Sequence, residues 1–144
     1  MASAEILGRL MRGINIEKVK PKGRYIPKKG ELYFFVGMYG GIIANVYDSE
    51  QDEYVIKHNL VFMTREEAED YKWFLDKVNE YKRRFEKDVY NHCFYFDFCH
   101  KRLDIDYYFK FKYDLTYFGS EENIKEFRSV VGDERIKKYF FNQY

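Results

Sequence analysis

The 144-residue chain has the length of one domain and is long enough to bury a core of its own. Its 25 Lys and Arg stand against 24 Asp and Glu, and a formal net charge of +1 creates no global field that would drive nonspecific binding to nucleic acid. Two cysteines make no disulfide scaffold, and without a leader-like start or an apolar run that could span a bilayer the chain reads as cytoplasmic and reduced. The 15 Tyr, 14 Phe and single Trp, 21% of the chain, predict a largely aromatic core. They also predict a Tyr-rich recognition surface, because a ring loses few rotatable bonds on binding.

Ser3 is placed to cap a short N-terminal helix carrying Ile6, Leu7, Leu10 and Met11, with Gly13 to end it. Both prolines, Pro21 and Pro27, fall in the next segment, where Lys18, Lys20, Lys22, Arg24, Lys28 and Lys29 make a basic arm before Gly30. LYFFV from Leu32 and IIANVY from Ile42 predict two strands joined by a loop holding Gly37, Gly40 and Gly41, and a third strand is expected around Glu53 to His58. Thr64 with Glu67 three residues on is a capping-box pattern, and Ala68, Tyr71, Phe74, Leu75, Val78, Tyr81 and Phe85 recur at three and four. A long helix is therefore expected to run to about Lys87.

In the second half, Phe94, Phe96 and Phe98 alternate with polar neighbours, as do Leu103, Ile105, Tyr107, Phe109 and Phe111. A hairpin turning at His100-Lys101 would set Phe98 against Leu103, Phe96 against Ile105 and Phe94 against Tyr107. Tyr117 and Phe118 are expected to close another strand. Ser120 then caps a helix with Ile124, Phe127, Val130 and Val131 that Gly132 ends, and a last short helix spans Glu134 to Phe140. LVFMTREEAEDY (Leu60 to Tyr71) is echoed by TYFGSEENIKEF (Thr116 to Phe127), so both halves end a strand and open a helix alike. The expected architecture is a single α+β domain over 1–144. Residues 1–30 are its helix and arm, and 31–87 and 91–144 are two similar β-β-β-α units, antiparallel sheets with a helix on one face, the second extended by the terminal helix.

Arg24-Tyr25-Ile26-Pro27-Lys28-Lys29-Gly30-Glu31-Leu32-Tyr33-Phe34, the stretch Asn59 to Glu69, and Gly132 to Tyr139 together resemble small accessory proteins encoded by phages and prophages of Gram-positive bacteria. The chain departs from that pattern at Tyr25, where the family has tryptophan, and in the first hairpin. The resemblance implies an origin in the host cytoplasm and a role against host defence, such as an anti-CRISPR protein; it names no functional residue.

Tests for chemistry point away from catalysis. His92-Cys93 and Cys99-His100 bracket a strand roughly 20 Å long at about 3.3 Å per residue, too far apart for one tetrahedral ion, so no metal or other cofactor is expected. Asp97, Asp104 and Asp106 share the face opposite the Phe row and suit the solvated side of a hairpin better than an Mg²⁺ or acid-base site. Thr64 and Ser120 are explained as caps, and the glycines at 37, 40 and 41 as turn residues. No catalytic residue is assigned.

The expected function is therefore non-enzymatic binding and inhibition of a host protein, a component of defence. The competing readings are an RNA or single-stranded DNA binder and a scavenger of signalling nucleotides. The candidate binding residues are Lys22, Arg24, Tyr25, Lys28 and Lys29 in the arm, Tyr39 and Tyr47 around the first hairpin, and Glu66, Glu69 and Asp70 at the acidic start of the long helix.

Overall fold

A computed structural model describes residues 24–144, an α+β fold in which five strands and four helices are described. In chain order they are β1 (Leu32–Val36), β2 (Ile42–Val46), α1 (Glu50–His58), β3 (Val61–Phe62), α2 (Arg65–Tyr81), β4 (Asn91–Asp97), β5 (Arg102–Tyr108), α3 (Glu121–Val131) and α4 (Asp133–Phe141). No helix among the described residues is long and apolar enough to cross a membrane. The expected N-terminal helix and Lys22 lie outside the described residues.

The first sheet is antiparallel with order β2-β1-β3. Successive β1 side chains alternate across it: Tyr33 and Phe35 join Val61 under α1, where Val55 and Ile56 cover them, while Phe34 takes the α2 side with Phe62. The segment expected as a third strand is α1. Ser49 caps it and Asp52 closes the capping box, with Ser49 Oγ accepting from the Asp52 amide and the carboxylate accepting from the Ser49 amide. That reciprocal pair, with three acidic residues in the first turn, outweighs the β tendency of Tyr54-Val55-Ile56. A β-β-β-α first unit is thereby replaced by β-β-α-β-α.

Thr64 caps α2 as expected, its Oγ1 accepting from the Glu67 amide, but the reciprocal bond of a box forms at Ser49 and not here. The helix stops at Tyr81, short of Lys87. Arg83 turns its guanidinium back onto the carbonyls of Glu80, Tyr81 and Lys82 and gives its own amide to the Tyr117 carbonyl, drawing the chain out of the helix.

The β4-β5 hairpin has the expected faces in a different register: Phe94 opposes Ile105 and Phe96 opposes Leu103. Phe98 falls into the turn, because the Asp97 carboxylate accepts from the Cys99 and His100 amides and Lys101 turns at φ 54°, so the chain reverses immediately after Asp97. A two-residue shift leaves every side chain on its original face, so apolar matching alone cannot distinguish the two pairings. Asp97 consequently faces Arg102 rather than Asp104. Tyr117 and Phe118 form no ladder strand, yet the Phe118 amide bonds the His92 carbonyl and the His92 amide bonds Gly119, so the segment runs beside β4.

Ser120 caps α3, and Gly132 separates it from α4 at φ 84°, ψ 151°, a conformation only glycine adopts without strain. The larger core gathers Phe74 and Val78 of α2, Phe94, Phe96 and Leu103 of the hairpin, Phe118, Ile124, Phe127 and Val131 of α3 and its approach, and Ile136 of α4.

Candidate functional site

The apolar alternation of the second hairpin is longer than its pairing. β4 begins at Asn91, opposite Tyr108, so Phe109 and Phe111 continue the pattern with no partner strand. The rings left over collect at the end of the hairpin remote from its turn: Tyr90, Tyr107, Phe109 and Phe111 are 49–53% exposed and Tyr113 is 84% exposed. They pack as two neighbouring groups, Tyr90 with Tyr107 and Phe109, and Phe111 with Tyr113 and Phe85. Tyr90 lies 4.6 Å from Tyr107 and 4.1 Å from Phe109 between ring centroids, and Phe111 lies 5.0 Å from Tyr113 and 5.5 Å from Phe85.

Two buried polar side chains fix these groups, one each. Asn91 is nearly sealed from solvent; its Oδ1 accepts from the Glu86 amide at 2.8 Å, and its Nδ2 donates to the carbonyls of Glu86, Val89 and Tyr108. That network folds the 86–91 turn, with Asp88 at φ 63°, and sets Tyr90 beside the end of β5. On the other flank the buried Tyr117 hydroxyl accepts from the Lys112 amide at 2.8 Å and donates to the Lys112 carbonyl at 3.1 Å, closing the loop that presents Phe111 and Tyr113. Fully satisfied buried networks of this kind define one geometry, so the exposed rings are held in place before any partner arrives.

The residues singled out in the sequence are scattered. Tyr39 is 98% exposed at the tip of the first hairpin. Tyr47 packs against the core under α1 and bonds Glu53. The Arg24 guanidinium is committed to the carbonyls of Ile56 and Asn59 at the end of α1, which removes it from a phosphate-binding role. Lys28 and Lys29 are exposed around the turn before β1, where the Lys28 amide bonds Glu31. Glu66 and Glu69 point to solvent. Tyr25 and Asp70 do come together, in a groove of about 880 Å³ between β3, the start of α2, the α3-α4 corner and the C-terminal residues.

In that groove Asp70 takes a forked pair of bonds from Arg135, at 3.0 and 2.8 Å, and a 2.6 Å bond from the Tyr139 hydroxyl. Burial pushes the Asp70 carboxyl up, but the bonds from Arg135 and Tyr139 and the Arg135 charge outweigh it and hold the group below the usual carboxylate range. Burial first and the Asp70 bond second raise the Tyr139 hydroxyl well above its ordinary value. Arg135 also lies 4.7 Å from the Trp73 ring centroid. This set ties α4 to α2 and is structural.

The acidic trio is dispersed in the same way. Asp97 builds the hairpin turn and bonds His100, Asp104 pairs with Arg102, and Asp106 accepts from the Tyr107 amide. Cys93 is buried, its thiol pushed up to about 11 by desolvation and then by Asp106, while Cys99 is exposed.

Sequence reasoning thus missed the rings at 90, 107, 109, 111 and 113. The available signal was the length of the 103–111 alternation against that of its partner strand. No family model, curated protein or solved structure matches the chain.

Proposed function

We propose that the protein is non-enzymatic and acts by binding and occluding a protein partner through the aromatic end of the β4-β5 hairpin. The observation carrying this reading is the group of exposed rings held by Asn91 and Tyr117. Contiguous exposed aromatics on a folded surface mark interaction sites, and prior fixation of the rings reduces the entropy lost on docking. The resemblance of Arg24 to Phe34, Asn59 to Glu69 and Gly132 to Tyr139 to phage accessory proteins supports a host protein as partner, a defence component first among them, in the host cytoplasm.

The test is a comparative capture from lysate of a Gram-positive host, using the full chain and a Tyr107→Ser, Phe109→Ser variant, with Tyr39→Ser as a surface control. A host protein retained by the parent and by Tyr39→Ser but lost with the patch variant is the expected result. Identical retention by all three would remove the patch from the reading.

Lys110 and Lys112 alternate with Phe109, Phe111 and Tyr113, which supports a second reading in which bases of single-stranded nucleic acid stack on the rings. Anisotropy of a labelled oligothymidylate separates the two. Binding that weakens steeply with added salt and disappears with the patch variant selects the second.

A further inference from the structure

The second hairpin has one edge covered and one edge open. On the β4 side the His92 amide bonds the Gly119 carbonyl and the His92 carbonyl accepts from the Phe118 amide, so the backbone groups of His92 point away from β5. His92 stands opposite Tyr107 in an unbroken antiparallel register, and the groups that point away from β4 are therefore those of Tyr107, Ile105 and Leu103. Two of them are filled by side chains of the same chain. Arg128, held by Asp133, donates to the Leu103 carbonyl at 3.3 Å, and the Asp106 carboxylate accepts from the Tyr107 amide at 2.8 Å. Among the described residues no bond reaches the Leu103 amide, either group of Ile105 or the Tyr107 carbonyl.

An unrelated strand laid along this edge would bring an amide to the filled Leu103 carbonyl and a carbonyl to the filled Tyr107 amide, and both would lack a bond. A second copy of β5 avoids this. Laid antiparallel about a two-fold axis at Ile105, it sets Leu103 opposite Tyr107 of the second copy, so the two filled groups face each other. Every remaining amide then faces a remaining carbonyl: Leu103 donates to Tyr107 of the second copy, and the two Ile105 residues exchange both of their bonds. The side chains agree on the apolar face, where Ile105 meets Ile105 and the buried Leu103 meets Tyr107, whose ring is 53% exposed. On the other face Asp104, bonded by Arg102 at 2.9 Å, comes opposite Asp106 of the second copy. That like-charge pair keeps the association weak and reversible.

We propose that the outer edge of β5 is a self-association site, at which two copies of the chain pair antiparallel about Ile105 and join their hairpins into one four-stranded sheet. Because the strands run in opposite directions, the ends of the two hairpins remote from their turns lie at opposite ends of the joint. The pairing follows from backbone hydrogen bonds and does not rest on the aromatic patch as a partner site.

The test is sedimentation equilibrium of the full chain from roughly 1 to 300 µM, where the mass should climb from one chain toward two with a dissociation constant on the order of 100 µM. A single-chain mass throughout overturns the proposal. Ile105→Pro deletes an amide that the β4 ladder does not use, and it should abolish the dimer while the Asp104 and Asp106 amides keep their parental exchange. A dimer that survives this change overturns the proposal. Where Ile105→Pro unsettles the hairpin, Asp106→Asn decides. It keeps an oxygen for the Tyr107 amide and removes the like-charge pair, so the dimer should tighten about fivefold, and unchanged or weaker association overturns the pairing. In a mixture of isotope-labelled and unlabelled parent chains, an intermolecular contact between the α-protons of Asp104 and Asp106 fixes the register; a dimer without it uses another surface and overturns the proposal. Neither substitution alters a ring of the aromatic patch, so host capture and self-association fail separately.

Discussion

The two cores are built on different principles. Under α1 the cluster is small, Tyr33, Phe35 and Val61, and its largest ring ends in a hydroxyl that donates to the buried Asp52 carboxylate at 2.5 Å. Between α2, the second hairpin, α3 and α4, all ten buried side chains are apolar and most of the volume is phenyl. The first core is held by a protonation state as much as by packing, and the second by shape alone. Each predicts its own mode of failure.

The largest effect belongs to the second core. Phe127 is fully buried with ring neighbours Phe118 at 4.7 Å, Phe74 at 5.8 Å, Tyr81 at 5.8 Å and Phe94 at 5.9 Å. Rings on four sides cannot collapse inward, so Phe127→Ala is expected to cost about 3–5 kcal/mol in denaturant unfolding. That loss should be the same at pH 5 and pH 8, because the one titratable ring beside Phe127, the Tyr81 phenol, is raised above its ordinary value by burial and stays protonated at both. A markedly smaller cost would mean that the helices close the cavity and that this core is looser than its packing indicates.

Next comes Asn91→Ala, which removes a buried side chain that bonds the Glu86 amide and carbonyl and the carbonyls of Val89 and Tyr108, at a cost of about 1–3 kcal/mol. Its value lies in separating stability from presentation. Tyr90 would lose its fixed position while remaining exposed, so partner affinity should fall together with the Tyr90 contacts to Tyr107 and Phe109, read by ring proton shifts. A stability loss with intact affinity would make Asn91 a purely structural residue.

Tyr33→Phe addresses the first core through pH. The bond from Tyr33 first, then those from the Asp48 and Ser49 groups, hold the Asp52 carboxyl far below its ordinary value, and desolvation first, then Asp52, pushes Tyr33 up to about 12. A depressed carboxylate stabilises the fold above its unfolded value near 3.9 and loses that contribution as pH falls. A raised phenol stabilises below its unfolded value near 10 and loses that contribution as pH climbs toward 12. In Tyr33→Phe the alkaline loss from this group vanishes and the acid loss shrinks, so the parent and variant curves of urea midpoint against pH should converge at both ends. Parallel curves from pH 3 to pH 11 would show that the pair contributes nothing through protonation.

The same contrast explains what was readable in the chain. Period-two alternation identified the faces of β4 and β5, and it was silent about the two-residue register because a shift of two preserves the period; the decisive group was one carboxylate, Asp97, folding the turn early. Ser49 and Asp52 carried a helix start as plainly as Thr64 and Glu67, but Tyr54, Val55 and Ile56 suggested a strand; the capping box, together with the placement of Val55 and Ile56 over β1, turns that run into a helix. The groove joins Tyr25 to Asp70 across 45 positions and depends on the α3-α4 corner at Gly132, a relation that no local pattern encodes.

The smallest expected effects lie at the echoed caps. Thr64 Oγ1 and Ser120 Oγ each accept from the amide three residues on, both at 3.2 Å, so Thr64→Ala and Ser120→Ala should each cost about 1 kcal/mol. Their reach should differ. Ser120 opens α3, which belongs to the apolar core alone, whereas Thr64 opens α2, whose Phe74 and Val78 enter that core while Tyr71 packs on Phe62 of the first sheet at 5.5 Å. Hydrogen exchange after Thr64→Ala should therefore quicken in the first turn of α2 and along β3. After Ser120→Ala it should quicken in α3 and the 117–119 segment that bonds His92, leaving β3 at its parental rate. If both substitutions loosen both sheets equally, the two cores unfold as one unit, and the division between a protonation-held core and a shape-held core does not extend to their dynamics.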